Sequence, residues 1–164
     1  MKTVYLLLIA CFAVNCVTLM PAEQRQVRNV VESKGVKANE AYDRALIWFA
    51  KSLGNANWAV QIRDPQGKRI VANVKYHCTI NTGSDILGNQ NMIGFIADFQ
   101  AKDDRFRLTF EDIIFTVRQQ NGNEVVHGPT DEEQRSEIDQ KCLIPVRDSI
   151  TASVKGSRTV DDKF

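Results

Sequence analysis

Three successive stretches of this chain alternate between apolar and polar residues, and this period of two constrains the fold more than any other feature. The apolar members are Ile70, Ala72, Val74, Tyr76, Cys78 and Ile80, then Ile93, Phe95, Ala97, Phe99 and Ala101, then Phe106, Leu108 and Phe110. Such alternation predicts β-strands with one buried face. Turn-forming residues separate the stretches, so we predict an antiparallel meander.

Shorter stretches on either side of the meander extend the predicted sheet. Gln26–Glu32 is predicted as a first strand, and Trp58, Val60 and Ile62 indicate a strand with Ile62 inward and Arg63 outward. A turn follows at residues 64–67, with the positive φ expected at Gly67. The third long strand is expected to continue through Val117 across a bulge at Glu111-Asp112.

Two amphipathic segments are predicted to be helices. The first covers residues 39–53, with Asn39 as N-cap and Gly54 as the stop. Its apolar stripe is Tyr42, Ala45, Leu46, Phe49 and Leu53. The second follows a polar connection at 119–128 and begins with a capping box at Thr130 and Glu133. Its stripe is Ile138, Cys142, Val146, Ile150 and Val154, with a kink or restart at Pro145.

A sheet with one apolar face requires a cover, and the two helices supply it. We therefore predict an α+β fold: one antiparallel sheet of about five strands, covered on one face by two helices. Residues 26–158 form this single domain, preceded by a tether at 17–25 and followed by a frayed tail at 159–164.

Residues 1–16 have the pattern of an export signal, because Lys2 precedes an apolar run and no further charge occurs before Glu23. We predict cleavage before Cys16 with lipid attached to that cysteine, although Asn15 occupies a position where a small residue is usual. Three alternatives stay open: lipidation of Cys11, a cut near Ala22, and an uncleaved anchor over residues 4–20.

Charge and cysteine content limit the classes of function. Removing the leader leaves 20 basic residues against 20 acidic ones, because only Lys2 is lost. A neutral domain gives no reason to expect nucleic acid as a partner. The mature part retains Cys78 and Cys142, which both lie on predicted core faces. They form either a disulfide or a buried thiol pair, with reduced thiols narrowly favoured.

Blocks of this sequence resemble a bacterial family of secreted and lipid-anchored proteins, the domain of unknown function 4468. The blocks are Tyr42-Asp43-Arg44-Ala45, Trp48-Phe49, Lys68-Arg69-Ile70-Val71, residues 102–107, and Glu111-Asp112-Ile113. The resemblance extends from Val27 to about Val117. It implies a curved antiparallel sheet backed by helices, as in the TATA-binding protein, and it brings no catalytic residues.

Candidate catalytic and metal-binding residues are few. His77 is predicted on the outward strand face and His127 in a loop, and no zinc spacing occurs. Asn81, Gly83, Asp85 and Asn89 offer oxygen ligands, but a solvated hairpin loop explains them better. The acidic groups at 103–104, 111–112 and 131–133 suit turns and a helix start. Ser84 lacks a nucleophile elbow, and Trp48 and Trp58 suit the core or its edge.

The sequence therefore favours a non-enzymatic, lipid-anchored domain of the cell envelope, in the outer membrane or periplasm. We expect no cofactor and no metal. The outward sheet face, with Arg63, Asn73, Lys75, His77, Arg105 and Arg107, is the candidate surface for an envelope protein or small ligand. A periplasmic or secreted hydrolase is the alternative, and a soluble secreted domain is the alternative location.

Overall fold

The computed structural model describes residues 18–53, 59–80 and 90–156. The strands are β1 (Val27–Glu32), β2 (Val60–Asp64), β3 (Arg69–His77), β4 (Gln90–Lys102), β5 (Arg105–Arg118) and β6 (Glu124–Gly128). The helices are α1 (Ala38–Ser52), α2 (Glu132–Ile138) and α3 (Ile144–Val154), with a 3-10 turn at Ala22–Gln24 and a π turn at Asp139–Leu143. Among these residues no helix has both the length and the apolar character needed to cross a bilayer.

The strands form one antiparallel sheet in the order β1-β5-β4-β3-β2, with β6 also paired to β5. Strand β1 pairs with residues 105–110 of β5, and β6 pairs with residues 115–118. The two short strands therefore lie end to end along one edge of β5. The predicted α+β class and single antiparallel sheet are confirmed. The polar connection predicted at 119–128 is wrong, because it contains β6. The sequence did not predict this strand because its five residues show no clear alternation.

Alternation holds along β4 and on either side of the bulge in β5, and the inward side chains of these two strands form the centre of the core. The predicted bulge is present, because the β4–β5 register shifts between Gly94 and Ile96 and Asp112 has a φ of 49°. The extra residue in β5 reverses the facing, so Ile113 returns to the core side that Phe110 occupies.

A second bulge corrects the prediction for β2. Val60 pairs with Ala72, but Ile62 pairs with Val71, so the register shifts by one residue between them. Ile62 consequently lies on the open face and is 44% exposed. Arg63 pairs with Ile70 and belongs to the helix-covered side. The predicted inward Ile62 and outward Arg63 are therefore wrong.

Helix α1 covers the sheet by packing on β3, β4 and β5 and against α3. Tyr42, Ala45 and Phe49 of the predicted stripe are buried. The predicted N-cap is wrong, since the cap position is Lys37 and Asn39 lies inside the first turn. The free amide of Ala38 instead donates to Asp103 Oδ1 at 2.9 Å, from the turn between β4 and β5. The predicted stop, Gly54, lies outside the described residues.

The turn after β2 uses its residues differently from the prediction. The positive φ, 53°, belongs to Lys68 and not to Gly67. The Asp64 carboxylate accepts hydrogen bonds from the amides of Gln66 and Gly67 at 3.0 and 2.9 Å. A Cβ atom on Gly67 would collide with that carboxylate, so a larger residue here would displace the Asp64 side chain from its two hydrogen bonds.

The C-terminal helical region starts and restarts close to the predicted positions. Its N-cap is Asp131, one residue after the predicted Thr130, and the Asp131 side chain accepts from the Gln134 amide at 2.8 Å. The π turn precedes α3, which begins with Pro145 in its first turn. Because proline has no amide hydrogen, it fits a helix start. All five residues of the predicted stripe are buried.

A disulfide fastens this helical region to the sheet. Cys78, directly after β3, is bonded to Cys142 in the π turn, with 5.8 Å between their Cα atoms. The structure therefore differs from the narrowly favoured prediction of two reduced thiols. As predicted, Cys78 and Cys142 are both buried and lie next to each other. The Tyr76 hydroxyl beside them donates to the Cys142 carbonyl at 2.6 Å, and burial raises the pKa of that tyrosine.

The described part of the predicted tether, from Thr18 onward, is attached to the sheet. The Met20 amide donates to the Pro129 carbonyl at 2.9 Å, and the Ile113 amide donates to the Arg25 carbonyl at 3.0 Å. The Arg25 guanidinium also forms an ion pair with Asp112 at 2.6 Å. Arg25 therefore fills the gap between β1 and β6, at the bulge of β5. The leader through Val17 and the tail at 159–164 lie outside the described residues.

Candidate functional site

The face of the sheet opposite the helices carries most of the predicted binding residues. Asn73, Lys75 and His77 of β3 lie on it, as do Arg105 and Arg107 of β5. Arg63 does not, for the reason given above. The cross-strand pairing adds residues that sequence reasoning did not select: Arg28, Val30, Arg69, Asp98, Gln100, Thr109 and Glu111.

This open face is concave. Lys75 Nζ of β3 lies 2.5 Å from Glu124 Oε2 of β6, although β4 and β5 separate the two strands. Strands stand about 4.8 Å apart, so in a flat sheet these two side chains would be too far apart to meet. Gly94 lies beside Lys75 in the register and places no side chain between them. The ion pair therefore requires a strongly curved face.

A charge network fixes the centre of the open face. The Asp98 side chain is 7% exposed and accepts two hydrogen bonds from Arg69, at 2.8 and 3.0 Å. This bidentate contact raises the pKa of Arg69. Arg107 lies 3.8 Å from the same carboxylate and donates to Gln100 Oε1 at 2.8 Å. Asp98 thus holds two guanidinium groups in place on neighbouring strands.

A depression adjoins this network where β1, β4 and β5 meet. It has a volume of about 180 Å³ and is lined by Arg28, Val30, Gln100, Lys102, Arg105, Phe106 and Arg107. Its lining contains four cations and no carboxylate. Among the residues that the structure describes, Arg28, Lys102 and Arg105 take part in no ion pair, and the buried Arg107 Nε has no acceptor.

The depression combines a local excess of positive charge with an apolar side chain. Val30 is 61% exposed and lies opposite Arg107 across the β1–β5 pair. Guanidinium and ammonium groups bind carboxylate, phosphate or sulfate through charge-assisted hydrogen bonds. The geometry therefore suits an anionic group attached to a small apolar part. Proton transfer or nucleophilic attack would need a base or nucleophile that this lining does not contain.

The remaining sequence candidates are dispersed. His77 is exposed on β3, and His127 is a half-buried residue of β6, so its predicted place in a loop is wrong. In the three described ranges, no group of three His, Cys, Asp or Glu residues is arranged to hold a metal ion. Trp48 is buried on α1 and donates to Ser149 Oγ at 2.9 Å. Trp58, Ser84 and the oxygen ligands at 81, 83, 85 and 89 lie outside the described residues.

The predicted carboxylate pairs have structural partners. Asp103 caps α1, and Asp104 Oδ1 accepts from the Gly35 amide at 2.7 Å. Asp112 binds Arg25, and Asp131 caps α2. Asp104 and Asp131 thus serve a turn and a helix start, as the sequence predicted, whereas Asp103 caps a helix and Asp112 pairs with a cation.

Arg28 and Lys102 were missed because the sequence of a strand does not show which strand lies beside it. Alternation in β1 places Arg28 and Val30 on one face, but the position of β1 beside β5 is needed to bring them to Arg105 and Lys102. Asp98 did carry a signal, since it is a charged residue at an outward position of the most apolar strand.

Comparison with known proteins shows the family and the fold of the chain. A family model described as "Domain of unknown function (DUF4468) with TBP-like fold" matches residues 28–116, more than half of the 164-residue chain. None of the curated proteins compared with the chain matches it.

Two solved structures are similar in fold. A TBP-like protein from Parabacteroides distasonis is 11% identical, with a TM-score of 0.60, and the match covers 79% of this chain and 92% of that one. A DUF4468 family protein from Bacteroides ovatus is also 11% identical, with a TM-score of 0.55, and the match covers 87% of this chain and 93% of that one. At this identity the likeness concerns the fold alone.

Proposed function

Since this chain belongs to the DUF4468 family, whose function is unknown and whose fold is TBP-like, we propose that it is an exported, lipid-anchored binding domain of the bacterial cell envelope. In this proposal it binds an anionic group of an envelope protein or small ligand in the depression of its open sheet face, without catalysis. Lipid on Cys16 holds it at the outer membrane or in the periplasm.

The leader and the disulfide support the proposed location. Residues 1–16 have the sequence of an export signal, and a disulfide such as Cys78–Cys142 persists in an oxidising compartment. The disulfide occupies both cysteines of the folded domain, so the lipid is left to a leader cysteine, which we propose is Cys16, with Cys11 as the alternative. A chain starting at Cys16 also keeps the contact between Met20 and Pro129, whereas a cut after Ala22 would remove it.

The cationic depression is the single observation that carries the proposed binding function. Arg28, Lys102 and Arg105 are charged groups without ion-pair partners in the described part of the chain, while Asp98 already engages Arg69 and Arg107. The charges of Arg28, Lys102 and Arg105 are therefore not engaged in an ion pair within that part of the chain, and the nearest cross-strand carboxylate is Glu32, opposite Arg105. The lack of a carboxylate or histidine in this lining favours binding over the hydrolase alternative.

Binding of an anion is tested with a fluorescent hexaglutamate peptide and with inorganic pyrophosphate, at low ionic strength. We expect Arg28→Ala/Arg105→Ala to weaken binding of at least one probe about tenfold or more, since two charge-assisted contacts are lost. The matched control is Arg63→Ala/Lys51→Ala, which removes two exposed cations outside the depression and should leave the affinity unchanged.

Two results would contradict the anion site: equal affinity in the two double variants, or no binding of either probe by the native protein. A short DNA duplex serves as a third probe. Tight duplex binding with a steep salt dependence would assign the depression to nucleic acid instead.

The anchor is tested separately by intact-mass measurement on protein from the native membrane fraction. A mature chain that begins at Cys16 and carries the mass of acyl chains is expected. An unmodified chain beginning near Glu23 would make the protein a soluble secreted domain.

A further inference from the structure

The outer strand β6 exposes apolar side chains on both of its faces. Val125 is 39% exposed and pairs with Val117, whereas Val126 is 41% exposed and pairs with Thr116 on the open face. In the described part of the sheet, β6 pairs only with β5, so its other edge has no strand partner. The two valines flank this unpaired strand edge, which offers a surface that another molecule can cover.

The chain reaches the domain beside this same strand. Pro129 directly follows the last residue of β6, and its carbonyl accepts the Met20 amide at 2.9 Å. Arg25 Nε also donates to the Met20 carbonyl at 3.0 Å, and Arg25 is fixed by Asp112. The polypeptide before residue 20 therefore starts from the C-terminal end of β6, at a point held by three hydrogen-bonded contacts.

The length of chain between this point and Cys16 is short. Four residues separate Cys16 from Met20, and even a fully extended chain spans at most about 3.5 Å per residue, or roughly 14 Å. The headgroup layer of a bilayer is about 6 Å thick on each side. An acyl chain on Cys16 would thus hold the end of β6 within a few residue lengths of the lipid surface.

We propose that the Val125–Val126 edge of β6 is a membrane-docking surface that rests in the lipid headgroup region beside acylated Cys16. This inference rests on the proposed lipid attachment at Cys16. We choose the lipid surface as the binding partner of this edge, because the short chain between Cys16 and Met20 keeps β6 close to the membrane in every anchored molecule. The neighbouring Lys75–Glu124 ion pair is neutral overall, and exposed Arg118 lies opposite Glu124 across the β5–β6 pair, so one cation flanks the apolar contact.

Docking through β6 also sets the orientation of the domain. Strand β5 runs from Arg105 at the cationic depression to Arg118 beside β6, and β1 and β6 lie end to end along one of its edges. The depression, lined in part by β1, therefore lies along the same edge of β5 as the docking strand, on the other side of Arg25.

The docking surface is tested with an environment-sensitive fluorophore on the acylated protein in phosphatidylcholine vesicles. Val126→Cys places the label on β6, and Ile62→Cys places it on β2, at the opposite edge of the sheet. These positions are matched, since the native side chains are 41% and 44% exposed on the same face. Acylation and the disulfide occupy the native sulfurs, which leaves one reactive thiol in each variant.

Nitroxide-headgroup lipid should quench the label at position 126 at least about twofold and leave the label at position 62 almost unchanged, because only β6 enters the headgroup region. Equal quenching at both positions, or none at position 126, would overturn the inference. A third result would also overturn the inference: the label at position 126 is shielded in lipid-free detergent and the protein has a dimeric mass. That result would mean that a second copy of the chain covers the β6 edge.

Failure of the anchor and failure of the docking surface are distinguishable. If intact mass shows no acyl group, the chain from Cys16 onward is coupled through that thiol to a maleimide lipid. Hydrogen exchange then compares the vesicle-bound and free protein. Slower exchange at 124–128 and unchanged exchange at 60–64 would support the docking surface even with an artificial anchor. Unchanged exchange at both strands would reject it.

Discussion

At the scale of single residues, one position along a strand decides which face a side chain occupies. The extra residue in β2 moves Ile62 to the open face and Arg63 to the covered side. The extra residue in β5 has the opposite effect, because it restores Ile113 to the core after Phe110. Asp98 shows the energetic consequence of such placement, since its carboxylate is nearly buried yet has cationic partners on two neighbouring strands.

Asp98→Asn should destabilise the domain by about 1–3 kcal/mol. The amide cannot accept two charge-assisted hydrogen bonds from Arg69, and the substitution removes the carboxylate that lies 3.8 Å from Arg107. The loss is moderate because half-exposed Arg69 can be solvated instead. Urea unfolding measures the change as a lower midpoint with an unchanged slope.

Asp148→Asn is the control for that substitution, since it also removes one carboxylate. Asp148 is 64% exposed and pairs with neighbouring Arg147 at the surface. It should change stability by less than about 0.5 kcal/mol. Equal midpoints for the two variants would show that the Asp98 network contributes nothing particular to stability.

At the scale of elements, helix starts and strand edges are completed by residues distant in sequence. Helix α1 has no side-chain cap of its own, and Asp103 supplies one from the β4–β5 turn. The same turn binds the approach to α1, because Asp104 accepts from Gly35 and its amide donates to the Val36 carbonyl. This turn therefore positions α1 on the sheet.

Asp103→Ala should lower the free energy of unfolding by about 1 kcal/mol, the usual value of an N-terminal cap. The substitution also removes the weak ion pair with Lys37 at 3.7 Å. Asn39→Ala is the informative control, since the sequence predicted Asn39 as the cap while the structure places it, exposed, within the first turn.

Because alanine favours helix interiors, Asn39→Ala should leave stability unchanged or raise it slightly. Thermal unfolding followed by circular dichroism distinguishes the two substitutions. If Asn39→Ala lowered the stability and Asp103→Ala did not, Asn39 would be the N-cap, as the sequence predicted.

At the scale of the whole molecule, the N-terminal segment, the sheet and the C-terminal helices are connected at a few defined points. Arg25 closes the gap between β1 and β6, and Arg44 of α1 donates to the Val154 carbonyl of α3 at 2.8 Å. The Cys78–Cys142 disulfide joins the end of β3 to the π turn across 64 residues of chain. The chain enters the domain at Met20 and Arg25, and the cationic depression lies farther along the same edge of β5, where β1 pairs with it.

Replacing both cysteines, as Cys78→Ala/Cys142→Ala, should destabilise the domain by about 4 kcal/mol at 25 °C, because the unfolded chain regains the entropy of a long closed loop. Reduction of the native protein with dithiothreitol should shift its urea midpoint to about the same value. The variant itself should not respond to dithiothreitol.

A count of free thiols on the unfolded, unreduced mature protein tests whether the Cys78–Cys142 disulfide is present. Two free thiols from Cys78 and Cys142 would mean that the pair is reduced, and the predicted midpoint shift with dithiothreitol would then disappear.

Local periodicity by itself determines much of this protein. The inward residues of β3, β4 and β5, the bulge at Asp112, the stripe from Ile138 to Val154 and the restart at Pro145 all follow from nearest-neighbour sterics and the burial of apolar side chains. The α+β class follows because a sheet with one apolar face needs helices to cover it.

Only the tertiary structure decided which distant residues meet. The capping of α1 by Asp103, the exchange of Ile62 and Arg63, the pairing of β6, and the gathering of Arg28 with Lys102 and Arg105 depend on strand order and register. A local pattern fixes the direction of a side chain relative to its own strand. It does not fix the neighbouring strand, because that choice minimises the free energy of the whole packed domain.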